Sequence, residues 1–331
     1  MTADTPFRRW MQTAKFALYN ALDTPGGRYV LAGFAAGYAT VRIGKLCYVS
    51  YDAAWIQRFP TGTIVEPRLT LYTLDEVEAS SRDFWMHGYE PSAGDTVVDV
   101  GAGTGWDTLA FSRKVGPRGR VISIEAHPKT FACLARMCQE NRLDNVTLIQ
   151  AALVDRKREV RISDAADHLG NRTVAVDGGV SVPGITLDCM CKSLDIPQID
   201  LLKMNIEGAE KYAVEGMTGA LSRIRHLCIS CHDFAAIELG CDELRTKDQI
   251  ISFLRERNFV LRSREKDPRA SVRDFVYASN ASMSIDAQSA PFPVLARCAS
   301  HAPSREQSIA SPQDSNRAIG SRVVPRLTTE S

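Results

Sequence analysis

The stretch "VVDVGAGTGWDTLAFSR", Val97 to Arg113, limits the fold of this chain more than any other part of it. It reads as a short buried strand, a turn with glycine at alternate positions, and the start of a helix. A strand that passes through such a turn straight into a helix opens an α/β unit, and in open α/β sheets ligands sit at the carboxyl ends of the strands. What that turn holds therefore decides what the chain does.

The sequence around it keeps the same alternation. From residue 86 to 280 strand patterns alternate with helical ones, which argues a parallel sheet covered on both faces. The candidate strands are "TVVDV", "RVISIE", "VTLIQ", "IDLLKMN", "HLCISC", "FVLRSR" and "DFVYAS". Between them, "HPKTFACLARMCQENR" sets Phe131, Leu134, Ala135 and Cys138 on one helical face. The polar "EKDPRAS" between the last two strands is too short for a helical crossover, so these two should pair antiparallel.

Residues 1–85 form an N-terminal extension of mixed helix and strand texture. Thr5-Pro6 is a cap followed by a first-turn proline. Phe7, Trp10, Met11, Ala14, Leu18, Ala21 and Leu22 follow at helical spacing, and "DTPGG" (Asp23 to Gly27) stops the helix. This helix packs on the main domain or, because Arg8, Arg9 and Lys15 flank its apolar stripe, lies at a membrane surface as a peripheral contact. "CYVSYDAAW" and "GTIVEP" read as strands, and the extension could cap the acceptor side of the site. Residues 281–331 are rich in serine and proline, with Phe292 as the one aromatic, and read as a disordered tail.

Composition narrows the function classes. A chain of 331 residues with 44% apolar content can bury a sizeable core. A net charge of +1 gives no global field for nucleic acid, no basic stripe is present, and no Asn/Asp-Pro-Pro-aromatic segment follows the fourth strand. Nine cysteines without framework spacing, and the polar start "MTADTPFRRWMQ", point to a reducing compartment, the cytoplasm. The longest apolar stretch, "YVLAGFAAGYATV" (Tyr29 to Val41), falls short of the roughly 20 residues a spanning helix needs, so no transmembrane segment is expected.

The turn itself is Gly101-Ala102-Gly103-Thr104-Gly105. A dinucleotide fingerprint wants glycine at its first, third and sixth positions, and here the sixth is Trp106. A phosphate loop would end in Lys-Ser/Thr, which is absent. The spacing suits S-adenosylmethionine (SAM), which has no phosphate. Asp99, just before the turn, and the backbone N–H groups could meet its amino-acid end. Glu125, followed by Ala126, ends the second strand, where a carboxylate can accept from both ribose hydroxyls. Ala151 and Ala152 after the third strand leave a flat apolar slot for adenine.

"VVDVGAGTGWDTLAFS", "GRVISIEAHPKTFACLARMCQENRLDNVTLIQAALVD", "ITLDCM" and "IDLLKMNIEGAEKYAVEGM" together resemble the FkbM-type SAM-dependent methyltransferases over about residues 90–260. The resemblance implies a class I methyltransferase fold: a Rossmann-like, seven-stranded α/β sheet with its last strand antiparallel. It also implies O-methylation of a hydroxyl on a sugar, a glycolipid or a polyketide-like product. One departure stands out. The family's fourth strand usually reads Lys-Ile-Asp-Val-Glu-Gly, whereas this chain has Lys203-Met-Asn205-Ile-Glu207-Gly208. Asn205 can orient a hydroxyl but cannot take a proton, so either the base lies elsewhere or the site is weakened.

Candidate bases follow the fourth and fifth strands. Glu207 begins the helix after strand four, where a carboxylate is also favoured by the helix dipole. His232 and Asp233 follow "HLCISC". His232 is the expected base, with Asn205, Glu207 or Asp233 positioning the acceptor. His168, in a polar glycine-rich loop before "ITLD", is a weaker candidate. Cys228 and Cys231 have zinc half-site spacing, but three residues apart on a strand they point to opposite faces, so no metal is expected. A nicotinamide-dependent oxidoreductase, and a SAM-binding protein that has lost turnover at Asn205, are the alternative readings.

Overall fold

The computed structural model describes residues 19–163 and 179–286. Of the expected Thr5–Leu22 helix only residues 19–22, which are helical, fall among these; His168 and residues 287–331 lie outside them.

Helix α1 (Gly27–Ile43) covers the apolar run Tyr29 to Val41 and ends at Gly44, whose left-handed backbone lets its N–H reach the Thr40 carbonyl. Three antiparallel strands follow: β1 (Tyr48–Asp52), β2 (Ala54–Phe59) and β3 (Gly62–Glu66). The single strand expected over Cys47–Trp55 is therefore two. The chain reverses at Ala53, which takes φ 58° so that Asp52 and Ala54 pair across the turn. Left-handed backbone at a non-glycine residue is disfavoured by roughly 1–2 kcal/mol, so nothing in the residue type announces this turn. Helix α2 (Leu74–Trp85) starts on a capping box between Thr73 and Glu76.

The main sheet then builds from β4 (Thr96–Val100), α3 (Trp106–Val115), β5 (Arg120–Glu125), α4 (Pro128–Glu140) and β6 (Val146–Gln150). A small second sheet follows with β7 (Ala152–Leu153), β8 (Arg158–Ile162) and β9 (Val180–Ile185), and then helix α5 (Leu187–Ser193). The chain returns to the main sheet with β10 (Ile199–Met204), α6 (Glu210–Glu215), β11 (Ile224–Ser230), α7 (Asp233–Leu239) and α8 (Lys247–Arg255). It closes with β12 (Phe259–Arg262), α9 (Ala270–Arg273) and β13 (Phe275–Asn280).

The seven strands lie in the order β6-β5-β4-β10-β11-β13-β12. Strand β13 runs antiparallel to both neighbours, as the short link before it requires, while the other pairings are parallel. Alternate residues feed opposite layers. Val97 and Val121 pack with Leu109, Phe111, Leu134 and Met137; Val98 and Ile122 pack with Leu202, Met217 and Ile229. The polar segment before "ITLD", expected to be loop, is partly strand: β8 and β9 pair antiparallel across it, with Val160 opposite Val182, and bury both valines.

The extension is fastened beside the glycine turn. Arg58 meets both oxygens of Glu140 at 3.0 Å, at the end of α4. The Asn141 side chain accepts from Thr63 N–H and donates to the Thr63 carbonyl, each at 2.8 Å. Glu66, the last residue of β3, accepts a hydrogen bond from Thr104 Oγ1 at 2.6 Å, inside the turn itself.

Candidate active site

Three glycines shape the turn after β4, each for its own reason. A Cβ on Gly101 would stand 1.9 Å from the Asn205 carbonyl oxygen, so the turn rests directly on the end of β10. A Cβ on Gly105 would stand 2.2 Å from Met137 Cε, and its φ of 99° is backbone that residues with side chains rarely adopt. Gly103 has nothing within 4 Å of where its Cβ would be; it faces open space, and its N–H donates to Glu125 at 2.9 Å.

That open space is a pocket over the carboxyl ends of β4, β5 and β10. Of the expected cofactor residues, Gly101, Gly103, Glu125, Ala126, Ala151 and Ala152 line it. Asn205 and Glu207, from beyond β10, line the same pocket. His127, Thr130 and Ile162 add to the wall; none of these three stands out in the sequence.

Five other expected cofactor residues do not line it, and the turn explains why. Asp99 is fully buried beneath the glycines: its carboxylate lies 2.8 Å from Lys203 Nζ and accepts from Thr108 Oγ1 at 2.7 Å. Direct contact between Asp99 and the amino-acid end of a ligand is thereby corrected. Its part is to hold Lys203, which donates to the Gly101 carbonyl at 2.7 Å and so pins the turn. Burial works against charge on Lys203, but Asp99 and Asp107 outweigh it and raise the lysine pKa. Ala102 is buried, with its N–H on the Ile124 carbonyl. Thr104 is taken up by Glu66, Gly105 by α4, and Trp106 packs edge-on against Tyr72 with ring centres 5.4 Å apart. Lys203 could have been noticed as the one cation in its strand; its partner Asp99 sits 104 positions earlier and carries no local signal.

Glu125 is well placed to hold a diol. One oxygen accepts from Gly103 N–H and the other from His127 N–H at 2.8 Å. A carboxylate has about four acceptor positions, so two remain for hydroxyls. Burial pushes the Glu125 carboxyl up to about 7, against the pull of those two N–H groups. The open face at Gly103, this half-buried carboxylate and the small side chains of Ala151 and Ala152 fit an adenosyl group.

The chemistry expected of His232 is not what its surroundings allow. The ring is buried between two carboxylates, with Nε2 3.3 Å from Glu207 and Nδ1 3.2 Å from Glu210. Burial alone would lower its pKa, but the two carboxylates raise it to about 10. At neutral pH it is an imidazolium with no lone pair to take a proton, so the expectation that His232 is the base is corrected. Glu210, buried at the start of α6 and also accepting from Ile206 N–H at 3.1 Å, is a partner the sequence reading missed. Asp233 is likewise not at the pocket: it accepts from Thr246 and Lys247 N–H at 2.9 and 3.1 Å, at the start of α8.

Glu207 remains. It lines the pocket, keeps 23% of its side chain exposed, and takes φ 55°, with Gly208 after it at φ 95°. Such backbone in a non-glycine residue costs of order 1–3 kcal/mol and gathers at functional sites. Cys228 and Cys231 fall in opposite core layers, and burial raises both thiols well above their ordinary range.

The strand order, the antiparallel β13 and the glycine turn over a single pocket define a class I, SAM-dependent methyltransferase. Residues 99–261 match the methyltransferase FkbM domain. It is 23% identical over 182 residues to the hexuronic acid methyltransferase AglP of Haloferax volcanii, a match covering 54% of this chain and 74% of that protein. It is 26% identical over 152 residues to the 2-O-methyltransferase NoeI of Sinorhizobium fredii, covering 40% of this chain and 60% of that protein. Among solved structures it is similar to Aeropyrum pernix fibrillarin with natively bound SAM, with TM-score 0.40 and 13% identity over 70% of this chain and 97% of that one.

Proposed function

We propose that this chain methylates a hydroxyl on a sugar or glycolipid, with Glu207 as the general base. The observation that carries the reading is the single pocket shared by Glu125 and Gly103 on one side and by Asn205 and Glu207 on the other. Glu125 would hold the ribose hydroxyls of SAM, the Gly101–Gly103 backbone would approach it closely, and Ala151 and Ala152 would flank the adenine. When bound, SAM supplies an electrophilic methyl carbon on a sulfonium.

The remaining work falls to the chain's own residues. Asn205 orients the acceptor hydroxyl by donating or accepting a hydrogen bond. Glu207 takes the hydroxyl proton as the oxygen becomes nucleophilic. His232, protonated and braced by Glu210, holds the Glu207 carboxylate in place. A carboxylate two residues after Asn205 supplies the base that position 205 lacks, so loss of turnover does not follow from that asparagine. The names of the two relatives, a hexuronic acid methyltransferase and a 2-O-methyltransferase, favour a sugar hydroxyl.

The test is transfer of a labelled methyl group from SAM to a panel of uronic acids, neutral glycosides and glycolipids. The reading expects product on a carbohydrate hydroxyl, with SAM binding kept and turnover lost in Glu207→Gln. Full turnover in that variant would remove Glu207 as base; transfer to nitrogen or to no carbohydrate would remove the acceptor class.

A further inference from the structure

Eleven large apolar side chains are exposed among the described residues, and seven of them lie between residues 29 and 48. Five belong to α1: Tyr29, Val30, Phe34, Tyr38 and Val41; Leu46 and Tyr48 follow. Helix α1 buries Leu31, Ala35 and Ala39, spaced four apart, toward the body of the protein. The outward side, two residues out of every four, is Tyr29-Val30, Gly33-Phe34, Gly37-Tyr38 and Val41-Arg42. Tyr29 is 82% exposed, Phe34 64% and Val41 85%. A helix apolar on both sides is ordinarily buried on both, and a contiguous exposed apolar patch marks an interaction surface.

Charge indicates what covers it. No acidic residue occurs between Asp23 and Asp52, while Arg28, Arg42 and Lys45 lie in that interval. Arg28 and Arg42 stand at the two ends of α1, and the exposed Lys45 follows it. Arg28 pairs with Asp23 and Arg42 with Glu76, while Lys45 stays exposed; an apolar strip of phenylalanine, valine and leucine with tyrosines beside it and basic side chains at its ends matches a bilayer surface with anionic headgroups. The helix has 17 residues, and no helix among the described residues is long and apolar enough to cross a membrane. It would therefore lie in the plane of the interface.

We infer that the outer face of α1 docks this protein onto an anionic lipid surface. The helix belongs to the extension whose β3 ends on the glycine turn through Glu66 and Thr104. Docking there places the pocket beside the membrane and narrows the acceptor to a lipid-linked glycan. That narrowing rests on the methyltransferase reading above; the docking itself does not.

The experiment is vesicle flotation of the full chain, with phosphatidylcholine vesicles against vesicles containing about one third phosphatidylglycerol. The expected result is partition onto the anionic vesicles, reduced at least about tenfold in the double variant Phe34→Glu, Val41→Glu. Calorimetric SAM binding reports separately on the fold and the cofactor pocket, and should match between the two proteins. No partition of the parent chain, or a double variant that binds vesicles equally well, overturns the inference. So does a dimer in solution that the double variant splits, since the face would then belong to a second copy. Loss of SAM binding in the parent chain would instead strike the methyltransferase reading and leave the docking result standing.

Discussion

Under the glycine turn, Lys203 sits between Asp99 and Asp107, 2.8 and 3.5 Å away; beyond the end of β10, His232 sits between Glu207 and Glu210 at 3.3 and 3.2 Å. Each group is one cation held by two carboxylates. They differ in what is left open. Asp99 and Lys203 are sealed from solvent, and Lys203 spends a further hydrogen bond on the Gly101 carbonyl, so the first group can only fix backbone. In the second, Glu207 still reaches the pocket, and its cation has a pKa that an experiment can cross. Similar charge arithmetic thus serves as scaffold in one place and, on the proposed reading, as a mounted reactive group in the other.

The contrast breaks most sharply on Glu207. Glu207→Gln keeps the shape and removes the proton acceptor, so turnover should fall about 10²- to 10⁴-fold. The SAM dissociation constant should stay within about twofold, because the proposed reading gives the ribose to Glu125. A single-turnover assay beside a binding titration separates the two effects. A parallel loss of both would make Glu207 a structural residue like Asp99.

Lys203→Met should do the opposite. It leaves Asp99 buried without its cation, and breaking such a pair typically destabilises by about 3–5 kcal/mol. Urea unfolding should show the loss as a lower midpoint, with activity per folded molecule far less affected than in Glu207→Gln. A variant of wild-type stability would mean that the pair contributes little to holding the turn.

These two groups also show how far the sequence could be read. The main sheet was legible because its strands are apolar runs cut by turn residues, and the glycine spacing announced a ligand over β4. Ala151, Ala152 and Glu125 followed from strand order alone. The charge states were not legible, because each cation takes partners from separate elements: Lys203 from β4 and α3, His232 from the residues after β10 and from α6. Helix α1 escaped notice for a related reason. Its buried and exposed faces are both apolar, so no polar–apolar alternation marks it.

A smaller effect sharpens the contrast through pH. His232 has its pKa raised from 6.5 to about 10 in the folded protein. Between those values the folded chain holds a proton that the unfolded chain has lost. The stabilisation is complete below pH 6.5 and disappears as pH rises through 10, at about 1 kcal/mol per pH unit. Melting curves from pH 7 to 10 should show that decline, and His232→Gln should flatten it while lowering stability at pH 7. Lys203→Met should leave that slope in place, since its cation does not titrate in this range.

The smallest effect belongs to Glu125, a half-buried carboxylate that lines the pocket. Its pKa is raised from 4.5 to about 7, so the slope has the same sign as for His232: the folded chain binds the extra proton, and stability falls as pH climbs through that window. For ligand binding the ionised form is the competent one, because only it can accept from two hydroxyls at once. At pH 8 about nine-tenths of the molecules carry it, and at pH 6 about one-tenth, so SAM affinity should fall about tenfold between those values. Calorimetry across the range measures this directly, and Glu125→Gln, which cannot titrate, shows what remains from the ligand's own groups. If the variant kept the full pH dependence, Glu125 would not be the group that meets the ribose.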